Sequence, residues 1–187
     1  MKNSTLRNVT AIIAKIIEVV SWFVTASLLV SSLVLAINNS LIMDEYNKEV
    51  ATNGHFSFTV TNGADFTDSL MASVARGTAF FELAPYIVLL IITALIFMNI
   101  YKVFRKSNTA SPFSEENIKR IKTIGYLTIA IPVAKVVIQL ICIAAIGSTN
   151  YDFSISLSEF AFGLVALSLA QYFAYGAQLE HDVDGLV

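Results

Sequence analysis

The residues able to do chemistry are few and scattered. There are two histidines, His55 and His181, and a single cysteine, Cys142. The histidines are expected on opposite sides of a membrane, so they cannot share a metal ion, and no Cys/His cluster exists. No glycine-rich phosphate loop and no Gly-x-Ser-x-Gly elbow occurs. None of the many serines has a histidine on its own side with an obvious orienting acid. His55 reads as a polar-face strand residue. The expectation is a protein that is not an enzyme and has no cofactor or metal.

The sharpest polar feature inside an apolar run is Lys135, with Gln139 one helical turn on and Pro132 just before. A charge in mid-span is costly, and such a group faces the bundle interior or a cavity. Pro132 frees a backbone carbonyl nearby. Lys135 and Gln139 therefore form a site for an ion, a proton or an anionic ligand, or Lys135 is a structural lysine. In the second case it bonds carbonyls or an acid such as Glu18 or Glu159. Cys142, Gln171, Tyr172, Phe173 and Tyr175 read as packing and interface residues.

A second chemical feature is a charged polar run from Tyr101 to Gly125. Lys102, Arg105, Lys106, Lys119, Arg120 and Lys122 lie in it, half of the 12 lysines and arginines. Ser114 is placed to cap a helix that opens with Glu115 and Glu116, acids suited to the positive end of its dipole. Acids return near the end of the chain as Glu180, Asp182 and Asp184.

The elements that position these groups are apolar. The 187 residues are 56% hydrophobic and 14% charged, with mean hydropathy +0.69. A soluble domain carries about 25% charged residues. The composition is that of an integral membrane protein. A net charge of −2 removes the basic balance that nucleic-acid binding needs, so no direct nucleic-acid contact is expected. Val34-Leu35-Ala36 resembles a cleavage site, but the apolar run before it is too long for a signal peptide.

Four spans are expected, over about 9–37, 84–104, 118–146 and 159–176. Outer loops fall at 38–83 and 147–158, a cytoplasmic loop at 105–117 and a cytoplasmic tail at 177–187. Lys15 and Glu18 read as a snorkelling or solvated pair near the inner interface. Pro85 lies near a span start, and Gly176 reads as a helix stop. The polar run from Tyr101 to Gly125, with its six cations, lies inside by the positive-inside rule, since the long outer loop holds only Lys48 and Arg76.

The outer segments show a different period. His55 to Thr61 alternates polar and apolar between Asn53-Gly54 and Asn62-Gly63, and Tyr151 to Leu157 alternates likewise. The two are expected to pair, since a lone strand is unstable. Phe66, Leu70, Val74 and Phe81 then recur at roughly helical spacing after Asp65. The fold class is an all-α membrane protein: a four-helix bundle, both termini inside, with a small outer cap of short β-strands.

Two passages carry a resemblance. One is Ser111-Pro112-Phe113-Ser114-Glu115-Glu116-Asn117, followed by Lys119-Arg120-Ile121 and Ile124-Gly125. The other is Leu169-Ala170, Phe173, Gly176, Leu179-Glu180 and Asp182. Together they resemble the bacterial four-span membrane proteins of domain of unknown function 2975. The usual tail has two acids where this chain has Glu180 and His181. Members are often encoded beside a small helix-turn-helix regulator. The resemblance thus implies a regulatory partner and a bacterial cytoplasmic membrane, and it brings no catalytic residue.

The functional expectation is a membrane-bound regulator that binds or sequesters a cytoplasmic partner, with membrane lipid as its other contact. Phe113, Glu115, Lys119, Arg120, Glu180 and Asp182 are the expected partner-binding residues. The alternatives are a small transporter or channel using Lys135, or an immunity or resistance protein that senses an envelope-active peptide. Orientation is directly testable. In a Cys142→Ala background, Ser107→Cys should be protected from an impermeant thiol reagent in intact cells, and Gly63→Cys should be labelled. The reverse pattern overturns the orientation.

Overall fold

A computed structural model describes residues 2–53, 59–60, 64–106, 113–146 and 157–184. They form six α-helices: α1 (Lys2–Ile37), α2 (Asn39–Asn53), α3 (Phe66–Ala75), α4 (Ala79–Lys106), α5 (Glu115–Ile146) and α6 (Leu157–Asp184). Four of them, α1, α4, α5 and α6, are long and apolar enough to cross a membrane. The chain is a multi-pass helical membrane protein. α1 has 36 residues, about 54 Å at 1.5 Å per residue, well beyond a hydrocarbon core of about 30 Å.

The side chains explain why these helices need lipid. The buried residues of α1 are Ala14, Glu18, Ser21, Thr25 and Ser32. Its exposed ones include Ile12, Ile16, Val19, Phe23, Val30 and Leu33. That is the reverse of a soluble helix. In lipid, small and hydroxylated residues pack between helices while large apolar ones face the chains. Hydroxyls and amides within the spans bond back along their own helix. Thr93 Oγ1 donates to Leu89 O at 2.8 Å, Asn99 Nδ2 to Leu95 O at 2.8 Å and Thr128 Oγ1 to Ile124 O at 2.8 Å. Both threonine hydroxyl hydrogens, and one of the two amide hydrogens of Asn99, are thereby satisfied within the helix.

Contacts divide the chain into two compact units. The first comprises Met1–Phe23, Leu89–Ala134 and Ile155–Val187. Here Lys15 Nζ lies 3.0 Å from Glu18 Oε1 and 5.1 Å from the centre of the Tyr101 ring. Arg105 Nη1 donates to the Tyr101 hydroxyl at 2.7 Å. Of the expected snorkelling pair, Lys15 remains half-exposed while Glu18 is buried. Glu18 Oε1 accepts from Lys15, which gives the buried carboxylate a counter-charge.

The same unit contains a close crossing of α5 and α6. A Cβ added to Gly163 would overlap Ile129 Cγ1 and sit 3.1 Å from Gly125 O. A Cβ on Gly125 would sit 2.7 Å from Leu167 Cγ and 3.1 Å from Gly163 O. The two backbones touch because neither residue has a side chain. Ala170, seven residues after Gly163 and so on the same helix face, is fully buried as well.

The second unit comprises Val24–Val88 and Lys135–Ser154. Its described part departs from the sequence reading in two ways. Residues 39–53, read as loop, are the helix α2. It packs on α3, and that packing supplies what its weak amphipathicity lacks. The expected sheet between the two outer loops is not supported. The described strand residues, β1 (Thr59–Val60) and β2 (Ala64–Asp65), pair antiparallel with each other. Leu157, assigned to the second strand, starts α6 instead. The rest of both expected strands, at 55–58, 61 and 151–156, lies outside the described residues. A neighbouring pairing closes a much shorter loop, so it loses less chain entropy than one across the protein.

α3 ends and α4 begins through a tight turn. Gly77 has φ +72°. Its N–H donates to Val74 O at 3.0 Å, and Thr78 N–H donates to Ser73 O at 2.8 Å. This is a Schellman closure, with glycine at the left-handed position. Ser73 Oγ then donates to Glu82 Oε1 at 2.7 Å, with both residues buried. Glu82, read from sequence as a loop acid, lies in the first turn of α4. Pro85, expected at the start of a span, lies inside α4 for the same reason: the helix opens earlier, at Ala79.

The glycine crossing gives a stability prediction. Gly163→Val should lower unfolding stability in detergent by about 1–3 kcal/mol, as overpacking does. Ile129→Ala combined with Gly163→Ala should recover part of the loss of Gly163→Ala alone. Thermal unfolding of the purified protein reads both.

Candidate functional site

The site lies within the first unit, where α5 starts and α6 ends. Ser114 O accepts the Ile118 N–H at 3.1 Å, which opens α5. Acids then precede cations by one turn. Lys119 Nζ is 3.8 Å from Glu115 Oε2, and Arg120 pairs with Glu116. Glutamate on the N-terminal side is the favoured order for such pairs. The Lys119–Glu115 pair is exposed and contributes little stability, but it holds the two side chains on one face.

Phe113 is exposed, as expected from sequence, but part of its ring is engaged. Its ring lies 5.4 Å from that of Phe173, tilted by 45°. A Cβ on Gly176 would come within 2.9 Å of Phe113 Cε1. Gly176 is therefore no helix stop. α6 continues to Asp184, and Gly176 is the notch that admits the Phe113 ring. Part of that ring is used to pin the start of α5 onto α6.

Because α6 runs on, its last turns form a wall opposite the first turns of α5. Between them is a groove of about 660 Å³. Glu115, Ile118, Lys119 and Lys122 line it from α5, and Ala174, Ala177, Gln178, His181 and Asp182 from α6. Ile118 is buried and, with the alanines, supplies an apolar floor. Charges form the rim. That is the anatomy of a binding surface, and the volume falls in the ligand-pocket range of about 300–1,000 Å³.

Three of the six expected partner-binding residues meet here: Glu115, Lys119 and Asp182. Arg120 is turned to Glu116, and only 18% of its side chain is exposed. Glu180 is exposed but does not line the groove. Sequence reasoning missed Lys122, Gln178 and His181. Their helical spacing from Lys119 and Ala174 carries the signal, and ending α6 at Gly176 concealed it for Gln178 and His181. Lys135 and Gln139 belong to the second unit. Both are half-buried and engaged in polar interactions. His55 lies outside the described residues. Among the described residues no group of three His, Cys, Asp or Glu could hold a metal ion.

No protein-family model, no curated protein and no solved structure matches this chain.

The Phe113 notch can be tested without a ligand. Gly176→Leu should displace the ring and destabilise the protein by about 1–3 kcal/mol. Phe113→Ala, combined with it, should remove most of that added cost. Thermal unfolding of the single and double variants measures the coupling.

Proposed function

We propose that this chain is a membrane-bound regulatory protein of the bacterial cytoplasmic membrane that holds a soluble cytoplasmic protein on its α5/α6 face. The observation that carries this reading is the groove. It joins the cation-bearing start of α5 to the acidic end of α6 over an apolar floor. The positive-inside rule puts that face in the cytoplasm. Anionic lipid alone explains the cations, but it does not explain Glu115 and Asp182 on the same rim. A protein surface with charges of both signs accounts for both. The resemblance noted above makes a small helix-turn-helix transcriptional regulator the favoured partner. Held at the membrane, such a regulator is kept off DNA.

The output is then transcriptional. Deleting the gene should change the transcripts that the partner controls. Lys119→Glu with Lys122→Glu, or truncation before Leu179, should do the same while the protein stays in the membrane. Pull-down of the intact protein in detergent should recover a soluble DNA-binding protein. No soluble partner and an unchanged transcriptome would remove this reading and pass the role to the intramembrane pair Lys135 and Gln139.

A further inference from the structure

The groove has a direction. Gly125 meets Gly163 and Leu167, while Phe113 meets Phe173 and Gly176. Residues early in α5 therefore lie beside residues late in α6, and the two helices run antiparallel. Within the groove, Glu115 to Lys122 spans two turns of α5, and Ala174 to Asp182 spans just over two turns of α6. Each is roughly 10–12 Å at 1.5 Å per residue. Lys122 lies at the end nearer the apolar stretches, and Asp182 at the end farther from them. The alanines lie between.

The two ends carry uncommitted charge. Lys119 is matched by Glu115 and Arg120 by Glu116. Lys122 and Asp182 make no ion pair with each other or with any other described residue. A positive group at one end and a negative group at the other thus face one cavity, which Ala174 and Ala177 line between them beside Ile118, Lys119, Gln178 and His181. A compact anion satisfies one end only and meets Asp182 at the other. A zwitterionic lipid headgroup carries both charges, but side by side rather than at two ends. A helix lying along the groove reaches both ends, and its bulkiest apolar side chain fills the space above Ala174 and Ala177.

We infer that the groove takes an amphipathic helical segment of a soluble protein. That segment presents a carboxylate to Lys122, a cation to Asp182 and a large apolar side chain to the alanine floor. This rests on the partner-binding reading above and specifies the chemistry of the recognised element. Small residues on the floor set specificity for bulk, and the separated charges set the direction in which the helix lies.

The test uses the full chain in nanodiscs of phosphatidylcholine and a phage-displayed library of helix-forming peptides. Enriched peptides should share a bulky apolar residue, with an acid toward one end and a cation toward the other. A synthetic peptide of that consensus should bind about tenfold more weakly to Ala177→Trp and to Lys122→Glu. Exchanging the peptide's acid for lysine should restore binding to Lys122→Glu. That charge exchange keeps the test decisive even if Ala177→Trp fails to fold.

Failure to enrich peptides, or enrichment of peptides without this pattern, overturns the inference. So does binding that ignores both substitutions. Loss of peptide binding when phosphatidylethanolamine replaces phosphatidylcholine assigns the groove to lipid and also overturns it. The two readings fail separately. A recovered cellular partner that is indifferent to Lys122→Glu and Ala177→Trp removes the helix inference alone. Peptide binding as described, with no cellular partner and no transcript change, removes the regulatory role and leaves the groove chemistry standing.

Discussion

The contact on which the rest depends is the backbone-to-backbone crossing of α5 and α6 at Gly125 and Gly163. Apolar burial gives little drive to associate in lipid, since lipid tails are as apolar as leucine. Association there relies on close packing, and these glycines permit the closest approach available. The crossing fixes the spacing of α5 and α6. From it, α5 runs back toward Glu115 and α6 runs on toward Asp184. The ring of Phe113 then fills the space that Gly176 leaves beside α6. Pinned at the glycine crossing and at this notch, the two helices leave a cleft floored by alanine. The charged rim follows from sequence spacing once that geometry exists.

A second constraint is polar satisfaction. Lys15 serves Glu18, Ser73 serves Glu82, and the hydroxyls of Thr93 and Thr128 serve their own helix. Each arrangement is local, within one helix or across one turn. Short-range partners suit a membrane chain, because a polar group must be satisfied before its helix finds a neighbour.

The four spans were legible because uninterrupted apolar runs of bilayer length leave no other reading. The charged start of α5 was legible because capping residues and Glu–Lys spacing report local physics. What escaped was set by contacts between elements. Gly176 has the composition of a helix end, and only the Phe113 ring beside it explains a glycine inside a helix. Misplacing that end hid Gln178 and His181, which form the wall with Asp182. The outer strands failed differently. Alternation marks a strand but does not name its partner, and the described residues pair with their neighbours. The helix α2 was missed because its polar sequence gains order from packing on α3, which composition does not reveal.

The notch at Gly176 has a thermodynamic consequence. The same two turns of α6 seat Phe113 on one side and form a groove wall on another. Seating the ring and filling the groove are thus two equilibria that share one piece of helix. An occupant that requires the wall in its present place binds more tightly when the ring is seated. By reciprocity, it must also hold the ring down with the same coupling free energy. Phe113 then feels the state of the groove without lining it.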